Sequence, residues 1–245
     1  MFTKKAYLFI LASLVLVACR YHKPLYPTAN NSLQRIDAKL EEQDSSILKL
    51  IKPYSDALNR EMDEVIAHSN VIMEKGRPQS LLGNFVCDLL LEHKYEVEPD
   101  FCFLNYGGLR APLPKGPIKM RHMYELMPFD NQLVLLKLSE SQMIDLAGLI
   151  YKIGGEPMGS TRDMRFQYTD SGATFEFGKD MGESYWVLTS DYLLNGGDNY
   201  GQLAQAEKII LTGLFIRDVL IEEVKKYNYM TPADPFLDKR CTISE

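Results

Sequence analysis

Apolar residues recur along this chain with two spacings, and together these predict interleaved helices and strands. Spacings of three and four residues predict helices at 44–62, 80–93, 139–152 and 214–226. Short apolar or alternating runs predict strands at 64–73, 101–104 and 133–138, followed by three short strands between residues 165 and 190. A chain of 245 residues with this order of elements is long enough for one compact α/β domain, which we expect over residues 36–228.

Two of the predicted helices carry further local signals. Ser139 and Gln142 form the pattern of a capping box, and Gly154 with Gly155 is typical of the end of that helix. The helix at 44–62 is amphipathic, with its apolar residues along one side. We expect that side to pack on the domain, and binding of a partner is the less favoured alternative.

The first 19 residues have the pattern of a bacterial lipoprotein signal. A basic start precedes an apolar stretch too short to span a membrane, and the stretch ends in Leu16 to Cys19 (LVAC), which resembles a lipobox. We expect a signal peptide over residues 1–18, acylation of Cys19, and anchoring in the bacterial cell envelope with the domain facing the periplasm. The alternative is an ordinary secretory signal that ends at a cysteine by chance. Residues 19–35 would form a tether, and the polar tail at 229–245 is expected to be loosely ordered.

Charge and cysteine content narrow the classes of function. A net charge of −6 disfavours binding of nucleic-acid polymers, whereas a small nucleotide needs only one local cation. With Cys19 acylated, an odd number of cysteines remains, and no disulfide framework is indicated. Cys87 and Cys102 lie in apolar runs and are expected to be small core residues, while a pairing of Cys241 with either stays open.

The segment Tyr192 to Tyr200 (YLLNGGDNY) has the residue types of a nucleoside site. It follows the alternating run at 185–190, and its paired glycines allow a tight turn close to a ligand. The ring of Tyr192 is able to stack on a flat heterocycle, and Asp198 is able to accept two hydroxyl hydrogen bonds. Taken alone, the segment is more simply explained as a hairpin turn with core aromatics.

Two upstream segments add complementary groups. Asn105 to Arg110 (NYGGLR) also follows an apolar run, and it combines an amide, paired glycines and a guanidinium suited to a phosphate or a carboxylate. Leu126 to Asn131 (LMPFDN) precedes another apolar run, and Pro128 is placed to fix a loop that projects Phe129. A surface arginine and a core phenylalanine are the default explanations for Arg110 and Phe129 taken singly.

In this order, the three segments resemble the C-terminal substrate-binding domain of the bacterial 5'-nucleotidase / UDP-sugar hydrolase family. That family has an Asn-x-Gly-Gly-Ile-Arg loop, a Pro-Phe-Gly-Asn loop, and an aromatic followed by Gly-Gly-Asp-Gly and a closing aromatic. Gln79 to Asn84 (QSLLGN) is similar to a fourth family element, Glu-(Ser/Thr)-x-Leu-Gly-Asn. The resemblance covers residues 60–228 and implies an α/β (α+β) fold, a single layered domain with mixed sheets flanked by helices.

For the base and the sugar of a nucleotide, the resemblance implies roles for three side chains. Phe129 and Tyr192 would sandwich the base, and Asp198 would accept hydrogen bonds from the ribose hydroxyls. Tyr192 stands where the family usually has phenylalanine, so stacking is retained and a hydroxyl is added. Asp130 and Asn199 each replace a family glycine, and both residue types tolerate left-handed backbone better than most.

For the rest of the ligand, the resemblance points to the segment Asn105 to Arg110. Asn105 and the backbone of Gly108 would contact the base and its surroundings, and Arg110 would face the phosphates. The family has a second arginine shortly before its fourth element. Arg77 lies nearby, but Pro78 intervenes, and we assign Arg77 no phosphate contact.

The family's catalytic domain is not recognisable in this sequence. Full-length members carry an N-terminal two-metal phosphatase domain with Asp-x-His and His-x-His ligand pairs, which hold the ions that activate water. Here no two of the four histidines lie within ten residues of each other, and no Asp-x-His occurs. We therefore expect no catalytic residue and no metal site in this chain, and divalent metals in a separate catalytic partner.

Two functions follow from the predicted pocket. The first is the nucleotide-binding half of a 5'-nucleotidase-type phosphoesterase in nucleotide catabolism, which needs a separate metallophosphatase for hydrolysis. The second is a non-catalytic lipoprotein that binds or senses nucleosides. Both use the same residues, and the sequence leaves the choice open. A remnant that no longer binds is disfavoured because Phe129, Tyr192 and Asp198 are all present.

Overall fold

The computed structural model describes residues 45–161, 164–169, 172–177, 184–227, 230 and 241–243. The chain divides into two compact units, residues 1–50 and 51–245, and in the first unit only the start of one helix is described. The predicted signal peptide, the acylated Cys19 and the tether lie outside the described residues. None of the described helices combines the length and the apolar composition that crossing a bilayer requires.

The described chain contains both helices and strands. The helices are α1 (Ser45–Met62), α2 (Leu81–Glu92), α3 (Met120–Leu126), α4 (Glu140–Lys152), α5 (Asp191–Leu194) and α6 (Ile216–Val224). The strands are β1 (Val65–Ser69), β2 (Phe101–Phe103), β3 (Gly116–Lys119), β4 (Gln132–Ser139), β5 (Met158–Ser160), β6 (Met164–Thr169), β7 (Gly172–Phe177), β8 (Ser184–Ser190), β9 (Lys208–Phe215) and β10 (Cys241–Ile243). They form three sheets: β1-β3, β10-β6-β7 and β5-β2-β8-β4-β9.

The five-stranded sheet is mixed, and its strand directions decide where the loops meet. β2 runs parallel to β8 and antiparallel to β5, and β4 runs antiparallel to both β8 and β9. Parallel neighbours end at the same edge of a sheet, so the loops that follow β2 and β8 leave side by side. β4 begins at that edge, where Leu133 pairs with Ser190. The three segments that the sequence analysis singled out therefore converge.

Helices cover both faces of this sheet. On one face Leu135 and Leu188 belong to a buried cluster that includes residues of α2, α3 and α6. On the other face Phe103 and Leu136 belong to a second cluster that includes residues of α4. Successive strand residues point to opposite faces, which is why neighbouring apolar positions such as Leu135 and Leu136 enter different clusters. The predicted fold class, a mixed α/β arrangement with mixed sheets flanked by helices, is confirmed.

The sequence signals at two helix ends are confirmed. Ser139 Oγ accepts a hydrogen bond from Gln142 N at 3.3 Å, and the Gln142 side chain accepts one from Ser139 N at 2.9 Å, which completes a capping box. After α4, Gly154 and Gly155 have φ angles of 81° and 106°, in the left-handed region that favours glycine. Cys87 and Cys102 are buried, as predicted.

The predicted packing of helix α1 on the domain is wrong for its central residues. Ile51, Tyr54 and Leu58 are 47%, 77% and 57% exposed, whereas Met62 at the end of the helix packs against the core. An amphipathic pattern shows that a helix has an apolar side, and it does not show what covers that side.

The C-terminal part of the chain also differs from the prediction. The last helix begins at Ile216 rather than Leu214, because an unpredicted edge strand, β9, extends to Phe215. In the tail, Met230 is buried and donates its N–H to His68 O at 2.7 Å, and β10 pairs in parallel with β6. The short elements β3, α3 and β5 were not predicted, and β1 is shorter than predicted.

Candidate functional site

A cleft of about 320 Å³ opens where the three loops meet at the edge of the five-stranded sheet. Its volume lies in the range of small-molecule sites, roughly 300–1,000 Å³. Residues from all three loops line it: Asn105, Gly107, Gly108, Arg110, Phe129, Asn131, Tyr192 and Asp198. All six residues that the sequence analysis proposed for substrate binding are in this set. The structure thus brings them together, and their roles toward a ligand stay predictions.

The two rings proposed to stack on a base are both open to solvent. Phe129 is 47% exposed and Tyr192 is 43% exposed. Tyr106 and Tyr200, the other aromatic residues of these loops, are buried, and Tyr200 packs on Phe103 with 5.4 Å between ring centroids. The simpler explanation of core aromatics therefore holds for Tyr106 and Tyr200 and is excluded for Phe129 and Tyr192.

An arginine of α6 holds the loop that carries Phe129. Arg217 Nη2 lies 2.7 Å from Asp130 Oδ1, and Arg217 Nη1 donates to Met127 O at 3.2 Å. The same guanidinium lies 4.4 Å from the ring centroid of Tyr124. These contacts hold the loop at Met127, before Phe129, and at Asp130, after it. Sequence reasoning missed Arg217, because it lies 87 residues from Asp130 and no local pattern marks it.

The loop that carries Tyr192 is tied to the sheet and then turns sharply. Asp191 Oδ1 accepts a hydrogen bond from Gln132 N at 3.1 Å, which joins this loop to the first residue of β4. Asp198 and Asn199 have φ angles of 50° and 67°, and these are residue types that tolerate left-handed backbone. A Cβ at Gly197 would lie 2.4 Å from the ring of Tyr192. The close approach of this ring to the backbone therefore requires glycine at position 197.

Asp198 links two of the three loops through its carboxylate. Tyr192 Oη donates to Asp198 Oδ1 at 2.9 Å, and Asn105 Nδ2 donates to Asp198 Oδ2 at 2.6 Å. The hydrogen bond to Asp198 and the negative charge of that carboxylate raise the pKa of the Tyr192 hydroxyl. Tyr192 therefore stays a neutral hydrogen-bond donor across the physiological range.

Arg110 supplies positive charge at the cleft. Its backbone N–H donates to Leu126 O at 2.8 Å, which joins its loop to the end of α3. Its side chain is exposed, and Nη1 donates to Gly107 O at 3.3 Å. A guanidinium has five N–H donors, so this single contact leaves it able to meet a phosphate or carboxylate.

A buried carboxylate that the sequence analysis missed lies behind the Asn105 loop. Glu156 is 3% exposed, and its Oε2 accepts a hydrogen bond from Tyr106 N at 2.7 Å. Burial raises the pKa of Glu156 to about 7 and the charge of Asp198 adds to the rise, although the Tyr106 hydrogen bond and the Arg77 charge oppose it. The sequence signal was a charged residue between Gly155 and Pro157, shortly after the end of α4 at Lys152.

Arg77 contacts the loop that follows α4 and carries Glu156. Its Nη1 donates to the carbonyl oxygens of Ile153 and Gly155, and its Nη2 lies 3.8 Å from Glu156 Oε2. Its guanidinium also lies 5.3 Å from the ring centroid of Tyr106. Arg77 therefore holds the loop after α4 and is not among the residues that line the cleft.

Among the described residues, one group of three has side chains suited to hold a metal ion: His93, Glu222 and Glu223, whose ligand atoms lie within 4.8 Å of one another. The ammonium of Lys226 lies 2.7 Å from both oxygens of Glu223 and already neutralises that carboxylate. None of these residues lines the cleft.

The fold and the cleft define a layered α/β domain with a small-molecule-sized site at one sheet edge. The family model described as "5'-nucleotidase, C-terminal domain" matches residues 65–205, more than half of the sequence, and this chain belongs to that family.

Relatives and solved structures agree with this family. The chain is 23% identical over 208 residues to a 5'-nucleotidase of Vibrio cholerae, covering 78% of the chain and 36% of the relative. It is 28% identical over 159 residues to endonuclease YhcR of Bacillus subtilis, covering 64% of the chain and 12% of the relative. The crystal structure of a 5'-nucleotidase precursor from Thermus thermophilus matches with a TM-score of 0.68 at 23% identity, over 82% of the chain and 43% of that structure. The chain thus spans about a third of the length of the Vibrio relative.

Proposed function

We propose that this chain binds a nucleotide or nucleoside and serves as the substrate-binding half of a 5'-nucleotidase-type phosphoesterase. The observation that carries the proposal is the pair of exposed rings, Phe129 and Tyr192, in one cleft with Asp198 and Arg110. Stacking of a base on an aromatic ring contributes about 1–3 kcal/mol, the carboxylate accepts ribose hydroxyls, and the guanidinium meets phosphate. Two of the three proteins compared above are named 5'-nucleotidases, which supports the same ligand class.

Hydrolysis in this proposal belongs to a separate metallophosphatase that supplies the divalent ions. Among the described residues that line the cleft, Asp198 supplies the one carboxylate, and a single carboxylate is not a ligand set for two metals. A lipid anchor at Cys19 would hold the chain in the bacterial cell envelope, facing the periplasm, where such a partner would meet it. The partner and the anchor rest on the sequence patterns alone.

The chain alone is expected to bind nucleosides and nucleotides without hydrolysing them. Calorimetric titration of the chain from residue 19 onward, with adenosine and with AMP, is expected to show binding of both, and AMP should bind more tightly because only AMP carries a phosphate for Arg110. Incubation with AMP and divalent metal is expected to release no phosphate until a metallophosphatase domain is added. Phosphate release by the lone chain that persists with a chelator would contradict the division of labour, and absence of any nucleoside binding would contradict the proposed function itself.

The second prediction concerns the sugar. Asp198→Ala is expected to weaken adenosine binding about tenfold, since hydrogen bonds to a charged acceptor are lost, and to change adenine binding little. Calorimetric dissociation constants for both ligands measure the difference. Asp145→Ala, at an exposed position on α4, is the matched control and should affect neither ligand. Equal losses of affinity for adenosine and adenine would show that Asp198 does not bind the sugar.

A further inference from the structure

Asp198 is held by two protein donors, one on each carboxylate oxygen. Tyr192 Oη lies 2.9 Å from Oδ1, and Asn105 Nδ2 lies 2.6 Å from Oδ2. The donors come from different loops, because Tyr192 follows β8 and Asn105 follows β2. The orientation of this carboxylate is therefore set by both loops together.

These contacts leave room for a ligand. A carboxylate offers about four acceptor positions, two on each oxygen. With one protein donor on each oxygen of Asp198, one further position stays available on each. Two neighbouring positions of this kind match the two hydroxyls of a vicinal diol. The protein donors thus orient Asp198 without consuming its capacity to accept hydrogen bonds.

The hydroxyl of Tyr192 is aimed by the packing of its own ring. The ring lies so close to Gly197 that a Cβ there would approach it to 2.4 Å. Asp198, the next residue, is exposed and has left-handed backbone with φ 50° and ψ 30°. An exposed carboxylate without such contacts samples several rotamers, and binding would have to fix it at an entropic cost. The hydrogen bond from Tyr192 Oη fixes the rotamer of Asp198 before the ligand binds, so binding no longer has this entropic cost.

We infer that the Tyr192 hydroxyl is a positioning group, which holds Asp198 in the orientation that accepts a vicinal diol and so sets the preference of the cleft for ribonucleosides. The inference rests on the proposed function and deepens it, because it gives the hydroxyl a task that is separate from stacking by the ring. It acts through Asp198 and makes no contact with the base.

Tyr192→Phe tests the inference, because it removes the hydroxyl and keeps the ring. Dissociation constants are measured by calorimetry for adenosine and for 2',3'-dideoxyadenosine, which lacks both hydroxyls. We expect adenosine to bind three- to tenfold more weakly to the variant and dideoxyadenosine to change less than twofold. In an Asp198→Ala background the same substitution should leave adenosine binding unchanged, because the group through which the hydroxyl acts is gone.

Tyr54→Phe is the matched control, since Tyr54 is 77% exposed on α1 and lies outside the cleft lining. Three results would overturn the inference while leaving the proposed function in place. Unchanged adenosine binding would show that the hydroxyl does nothing, stronger binding would show that it competes with the ligand, and equal weakening of both ligands would show that it acts on the ring. If neither the original chain nor the variant binds any nucleoside, the proposed function fails and the inference fails with it.

Discussion

Gly155→Ala is expected to destabilise the domain by more than about 3 kcal/mol, because two separate costs fall on one position. Gly155 has a φ of 106°, a region that side chains with a Cβ rarely adopt, and a Cβ built there would lie 2.1 Å from Pro78 O. The obstructing atoms belong to the backbone of Pro78, so no side-chain rotation relieves the overlap. Urea unfolding monitored by circular dichroism measures the loss as a lower midpoint.

Two further glycines separate the contributions. Gly154 has a φ of 81°, and a Cβ added there would lie 3.8 Å from Arg77 Cδ, an ordinary contact, so Gly154→Ala tests backbone strain alone, about 1–2 kcal/mol. Gly148 lies inside helix α4 with nothing within 4 Å of an added Cβ, so Gly148→Ala should stabilise by about 0.5–1 kcal/mol. If Gly155→Ala and Gly154→Ala lost the same stability, the close approach to Pro78 would have no energetic consequence.

Six residues that line the cleft were predicted from the sequence, and they lie in loops next to apolar strands. Asn105 and Tyr192 both follow apolar strands, and Phe129 precedes one. When two of these strands are parallel neighbours and the third is antiparallel, the three loops must emerge at one edge. The local patterns, taken together with the family resemblance, therefore identified six of the residues that line the cleft, and the strand directions explain why these residues meet.

The groups that hold these loops were not predictable, because they act across long separations in sequence. Glu156 binds the backbone of Tyr106 across 50 residues, and Arg217 binds Asp130 across 87. Neither partner alters the local pattern of the other. β9 was missed for a different reason. Exposed and half-buried positions alternate from Ile209 to Phe215, but the exposed positions Ile209, Leu211 and Phe215 are apolar as well, so the sequence shows no alternation of polar and apolar residues.

Glu156 leads to the second large effect, which depends on pH. Burial raises the pKa of Glu156 to about 7 in the folded chain, against an ordinary value of 4.5 that applies when the chain is unfolded. Between these two pH values the unfolded chain has released the proton and the folded chain still holds it. Rising pH therefore favours unfolding over this window, by up to about 1.4 kcal/mol per pH unit. The contribution of Glu156 to stability is complete below pH 4.5 and is lost as the pH rises through about 7.

Glu156→Gln is expected to abolish this dependence, because a neutral amide has the shape of the protonated acid and keeps an oxygen to accept the Tyr106 N–H. The variant and the original chain should have similar stability at pH 5, whereas at pH 8 the variant should be more stable by up to about 3 kcal/mol. Urea unfolding at both pH values measures the change, and Glu96→Gln, at an exposed position, is the control that should give the same difference at each pH.

A Glu156→Gln variant that is less stable than the original chain at pH 8 would mean that the attraction of Arg77, with Nη2 3.8 Å from Oε2, outweighs the cost of burying the charge. Because Glu156 holds Tyr106 next to Asn105, the same measurement decides whether the support of the cleft is a buried anion or a buried neutral acid at physiological pH.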